Sequence, residues 1–180
     1  MNKINIAKIV TSHLDTLRDY SSGKISWVDV SFFFGLPFLL SIMGWRLGWG
    51  LYVDALNALL AAFAIFAGLL LNLLILIYTF STNASYPTNL AKMKTRFVKE
   101  LHNNIAFSVL LSILIVMAAL VGVAQLKMRN PQDPGHTGST LTFIIVYLTT
   151  NFVLTLLMIL KRIHVLLSTE IDQPIMRKAS

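Results

Sequence analysis

Between Asp54 and Lys92 the chain carries no charged residue. A helix rises about 1.5 Å per residue, so Leu51 to Phe80 reaches roughly 45 Å, against a bilayer hydrocarbon core of about 30 Å. The run predicts a membrane-spanning helix with length to spare. A second pattern lies inside it. Asn57, Ala61, Ala64, Gly68 and Asn72 recur at steps of four, three, four and four. At about 3.6 residues per turn they form one stripe of small and polar groups, with Leu, Ile and Phe on the other faces. Such a helix is expected to show lipid on one side and another helix on the other.

The rest of the composition agrees with a membrane setting. Hydrophobic residues make up 56% of the 180, and charged residues 13%, against about 25% charged in soluble domains. The length allows one domain. No cysteine is present, which removes disulfides, thiol nucleophiles and Cys-based zinc sites. A net charge of +7 suggests nucleic acid at first sight. In a membrane protein it reads more simply as positive charge gathered on the cytoplasmic side. Met1 to Gly23 has no apolar core before a small-residue cleavage site, so no cleavable signal peptide is expected.

Taken in order, Asn2 to Tyr20 reads as an amphipathic helix. Ile6, Ile9, Val10, Leu14 and Leu17 share one face. Ser21-Ser22-Gly23 ends it. The helix is expected to lie on the membrane surface or pack within the chain, with a partner as the other possibility. The first span is placed at 26–43. Ser26-Trp27-Val28-Asp29 fits a capping box, which gives Asp29 a structural role. Gly35 and Pro37 are expected to weaken or kink this span. Gly44 to Gly50 forms a turn, and Trp45, Trp49 and Tyr52 form an interfacial aromatic belt.

The second span is 51–80. Pro87-Thr88-Asn89 then signals a helix start. Lys92, Arg96 and Lys99 make a basic stripe on a cytoplasmic helix, 87–104, expected to run on into the third span at 105–126. Attraction to anionic lipid explains that stripe at about 1 kcal/mol per base; docking of an acidic partner is the functional alternative. Ser108, Ser112, Ala119 and Gly122 give the third span a small and polar face. Lys127 to Thr140 is the second outer loop, rich in breakers at Asn130-Pro131, Asp133-Pro134-Gly135 and Gly138-Ser139, and its His136 stands alone. The fourth span is 141–160, with Tyr147, Asn151 and Thr155 on one face. Lys161 and Arg162 follow, and 168–180 reads as a polar tail broken at Pro174.

Charge sets the topology. Twelve of the fifteen Lys and Arg fall before the first span, between the second and third, and after the fourth. Only Arg46, Lys127 and Arg129 fall on the other side. The positive-inside rule then puts both termini in the cytoplasm. The expected fold is all-α: a polytopic four-transmembrane-helix bundle with short cytoplasmic amphipathic helices, residues 1–24 and 87–104, and a cytoplasmic tail. The expected location is a bacterial inner membrane.

No catalytic motif is present: no HExxH, GxSxG or P-loop. No metal or cofactor is expected, and the chain reads as non-enzymatic. The spans lack buried acids and bases, which argues against coupled transport. His102-Asn103-Asn104 reads as a polar helix border, with a proton relay as the sharper reading. The packing candidates are Asn57, Ala61, Ala64, Gly68, Asn72, Ser112, Gly122, Asn151 and Thr155. Some of these faces are expected to build a homo-oligomer. Candidates for binding lipid or a soluble cytoplasmic protein are Lys92, Arg96, Lys99, Lys161 and Arg162; direct nucleic-acid binding is disfavoured. Two functions stay open. One is an oligomeric platform that recruits or regulates a cytoplasmic partner. The other is a small pore or membrane-permeabilising effector, holin-like or toxin-like.

The whole-chain layout of about 180 residues, four spans and basic cytoplasmic segments resembles the small membrane subunit of the Kiwa anti-phage defence system. The resemblance covers the full chain and rests on architecture, with no diagnostic motif behind it. It implies a homo-oligomeric inner-membrane protein working with a soluble DNA-binding subunit, with Lys92, Arg96, Lys99, Lys161 and Arg162 at the subunit interface.

Overall fold

The computed structural model describes residues 6–16, 30–82, 88–129 and 135–178. Its helices are α1 (Ile6–Asp15), a π turn (Ser31–Gly35) leading into α2 (Leu36–Arg46), α3 (Val53–Thr82), α4 (Thr88–Arg129) and α5 (Ser139–Lys178). Extended pairing among the described residues is limited to an isolated bridge between Tyr52 and His136.

Three helices are long and apolar enough to cross a membrane: Val53–Thr79, Phe97–Arg129 and Ser139–His164. The apolar helix Ser31–Arg46 is shorter, about 24 Å at 1.5 Å per residue. Its weak point is the expected one. Pro37 has no N–H to donate and crowds the carbonyl four residues back. The π turn immediately before it absorbs that misfit. The Ser26–Asp29 capping box and Gly23 lie outside the described residues. Closing the helix, Trp49 N–H bonds to Gly44 O (2.9 Å) and Gly48 N–H to Trp45 O (3.2 Å), with Gly48 at φ 68°. This is a Schellman cap, which needs a left-handed residue at Gly48.

α4 is the central element. α3, α5 and α1 all pack on it, and α2 packs on α5 away from α3. Close helix neighbours therefore run in the series α3, α4, α5, α2, which differs from a closed four-helix bundle. The α3–α4 seam follows a seven-residue repeat. Leu56, Phe63, Leu70 and Ile77 are all buried, the spacing that keeps one face of a helix turned to its neighbour. Phe152 of α5 closes the seam. Its ring lies 4.9 Å from Phe63 and 5.5 Å from Phe66.

Two helices outrun the membrane. α4 has 42 residues and α5 has 40, roughly 60 Å each. They run antiparallel and overhang at one end, where Arg162 meets Glu100 at 2.9 Å; this is called the basic end below. Thr88–Arg129 is one unbroken helix, as the sequence suggested for the basic segment and third span. The segment after Ser168 differs from the expected broken tail. α5 continues through Pro174 to Lys178, so the proline removes one backbone hydrogen bond without ending the helix.

At the opposite end the turn after α2 is tied to the loop before α5. Thr137 N–H bonds to Leu51 O, and Leu51 N–H to Thr137 Oγ1, both at 2.9 Å. A Cβ on Gly50 would overlap the His136 ring, so this close approach requires glycine. His136, alone in the sequence, serves here as a packing residue.

Candidate functional site

The packing candidates separate into two groups. Asn57, Ala61, Ala64, Gly68 and Asn72 are all exposed on α3. They lie roughly 150° around the helix from the Leu56–Ile77 seam, at about 100° per residue. A Cβ on Gly68 would touch nothing within 4 Å. Among the described residues the stripe faces outward, away from the α3–α4 seam. Within the chain, large aliphatic and aromatic residues on the opposite face of α3 make the contact with α4.

Ser112, Gly122, Asn151 and Thr155 are buried inside the chain. Gly122 admits Leu56 and Leu141, whose methyl carbons would lie 3.0 and 3.2 Å from an added Cβ. The polar members bond back along their own helices. Ser112 Oγ donates to Ser108 O (2.8 Å), Thr155 Oγ to Asn151 O (2.8 Å) and Asn151 Nδ2 to Tyr147 O (3.5 Å). In the membrane these bonds satisfy the groups locally, so close approach rather than cross-helix bonding is what these residues add.

The basic candidates also divide. Lys99 and Lys161 are exposed. Arg162 is engaged inside the chain, donating from Nη1 to Glu100 Oε2 and from Nη2 to Thr16 O, each at 2.9 Å. The side chains of Lys92 and Arg96 lie outside the described residues.

Arg162 belongs to a cluster at the basic end that sequence reasoning passed over. α1 packs intramolecularly on α4, through Ile9 and Val10 and through a buried His13. The imidazole of His13 is 1% exposed. It stacks on Phe107 at 4.0 Å and 10°, with Phe33 edge-on at 6.2 Å. Its Nδ1 lies 2.9 Å from Asn104 Oδ1. A carbonyl oxygen only accepts, so the neutral ring donates from Nδ1. The Thr16 hydroxyl stands 2.8 Å from the same oxygen and 2.7 Å from His13 O. Asn103 Nδ2 reaches Ser12 O at 3.4 Å. Burial pushes the His13 imidazole from 6.5 down to about 4; the Asn104 hydrogen bond opposes the shift and the Arg162 charge adds to it.

Of the His102-Asn103-Asn104 border, only Asn104 is buried, while His102 is exposed. The sequence signal for His13 is its place three and four residues after Val10 and Ile9, on the apolar face of α1. Asn104 Nδ2, Ser108 Oγ and Thr149 Oγ1 are buried with no hydrogen-bond partner. Among the described residues no group of three His, Asp or Glu is placed to hold a metal ion. Comparison with protein-family models, with curated proteins and with solved structures finds no match to this chain.

Proposed function

We propose that this chain is a non-enzymatic membrane platform. It assembles with copies of itself through α3 and recruits or regulates a soluble partner at its basic end. In this reading the basic end faces the cytoplasm of a bacterial cell, following the excess of Lys and Arg there. On the same reading the apolar helix Ser31–Arg46 belongs to a fourth pass, so both termini are cytoplasmic. A role in defence against phage follows from the Kiwa resemblance alone.

One observation carries the assembly half: the stripe from Asn57 to Asn72 faces outward from a membrane-length helix. Neither amide makes a hydrogen bond among the described residues. An amide turned to hydrocarbon costs several kcal/mol by transfer reasoning, roughly 2–7. Measured interhelical hydrogen bonds recover only about 0.6 kcal/mol on average. The stripe therefore acts through specificity: two Asn residues fix the register, and Ala61, Ala64 and Gly68 between them let a second α3 approach closely. The partner half draws on exposed Lys99 and Lys161 and on the overhang of α4 and α5.

Because the chain has no cysteine, single cysteines at Ala61, Ala64 and Gly68 report contacts between copies in native membranes without background. Crosslinks at these positions support the assembly; none at any of the three rejects α3 as the self-contact. The pore reading draws on the same outward Asn57 and Asn72, which would line an axis between copies. Dye leakage or depolarisation on expression favours the pore. A stable soluble protein co-purifying from solubilised, non-leaky membranes favours the platform.

A further inference from the structure

We propose that α1 is a releasable latch on the basic end of α4 and α5, held shut by a neutral His13 and opened by protonation of that ring. Three features of the geometry lead there. First, α1 has only ten residues and rests on α4 alone among the long helices, and a helix that short is marginal without its docking contacts. Second, its docking contacts converge on one point. His13 fills the space between Phe107 and Phe33 and bonds Asn104, while Thr16 bonds Asn104 and accepts from Arg162. Third, that point does not suit a cation. The ring is shut off from water, and the nearest charged group from α5 is the guanidinium of Arg162.

The charged and titratable surroundings decide whether another group answers first. From α4, Glu100 faces the cluster, but its carboxylate is committed to Arg162; Lys99 and His102 are exposed. From α5, Lys161 and His164 are exposed beside Arg162. The π turn contributes only Phe33. On α1 itself Lys8 and Asp15 are exposed. Among the described residues, His13 is thus the buried group in this junction whose charge responds to acid, and the lowered imidazole agrees with that placement. Opening would uncover Asn104 and release the bond from Arg162 to Thr16 O. That Arg162 then becomes available to a soluble partner rests on the platform reading; the latch does not.

The test reads α1 directly and needs no partner, so its failure is separate from failure of the platform. Spin labels are placed on Ala7→Cys in α1 and on Met117→Cys in α4, both exposed positions, in the full chain in nanodiscs. Their distance is followed at pH 7.5 and 4.5, with a urea titration at each pH so that the docking constant is readable even where the open form is scarce. With the ring at 6.5 when free and about 4 when docked, the docking constant falls roughly 70-fold between those pH values. The change reverses on neutralisation. His13→Phe, which keeps the stacked ring, and His13→Gln, which keeps a donor for Asn104, remain docked at both pH values. Glu100→Gln opens as the parent does. A docking constant that is unchanged at pH 4.5 overturns the proposal. So does the same acid opening in both His13 variants, or their opening at neutral pH, which would show that imidazole is needed for something other than its charge.

Discussion

Phe152 offers the most informative stability measurement, because the membrane changes what its loss costs. Its side chain is 1% exposed and closes the α3–α4–α5 packing against Phe63 and Phe66. In a soluble core Phe→Ala costs about 3–5 kcal/mol, part of it the return of apolar surface to water. Here the unfolded chain stays in lipid, which is as apolar as the core, so the transfer part vanishes. The void remains: on the order of 100 Å³ at about 24 cal/mol per Å³ gives about 2.4 kcal/mol. Two lost aromatic pairs, at about 0.5–1.5 kcal/mol each, overlap with that figure. We expect Phe152→Ala to cost about 3 kcal/mol and Phe152→Leu about half of that. Leu157→Ala, five residues along α5 and 56% exposed, should cost almost nothing. Reversible unfolding in mixed micelles, titrated with sodium dodecyl sulfate, reads all three. Equal costs at Phe152 and Leu157 would refute the packing described here, since that result requires both positions to face the same surroundings.

Three further outcomes follow from particular contacts. The lowered imidazole of His13 makes stability fall with acid: the contribution is complete above about pH 6.5, is lost as pH drops toward 4, and totals about 3 kcal/mol. Thermal unfolding of the parent and of His13→Phe should diverge only below about pH 6.5, with the variant the less acid-sensitive. Arg162→Met removes donors from Glu100 and from Thr16 O; a charge-assisted bond is worth about 1.5–3 kcal/mol, and faster amide exchange confined to α1 and the adjoining turn of α4 is the expected signature. Gly50→Ala drives a methyl group into the His136 ring and should cost about 1–3 kcal/mol by overpacking, whereas the same change made together with His136→Ala should cost much less, a coupling that a double-mutant cycle measures.

How much of this was legible follows from the physics of each element. The three membrane-length helices were readable because an uncharged run longer than the bilayer has few alternatives. The continuity of α4 was readable because nothing between Asn89 and Arg129 breaks a helix. The segment expected as a first span, 26–43, is described only as the shorter apolar helix Ser31–Arg46, with a π turn just before Pro37. The direction in which α3 turns its stripe was not legible. Small residues suit close packing of any helix pair, and only the burial of Leu56, Phe63, Leu70 and Ile77 reveals that the chain uses the opposite face for itself. Arg162 was recognised as a base but not as one already engaged, because Glu100 and Thr16 stand 62 and 146 residues away in sequence. His13 was passed over for a related reason. Its partners Asn104 and Phe107 lie on another helix, and a single histidine on an amphipathic face does not announce them.

The central claim is that the outward stripe of α3 joins copies of this chain. Counting subunits by single-molecule photobleaching in native membranes tests it most directly, on the parent and on a variant carrying Gly68→Phe and Asn72→Leu. Both altered positions are exposed, so the fold of each copy is left intact. The account predicts several bleaching steps per spot for the parent and a shift to single steps for the variant. Single steps in the parent, or an unchanged count in the variant, would contradict it.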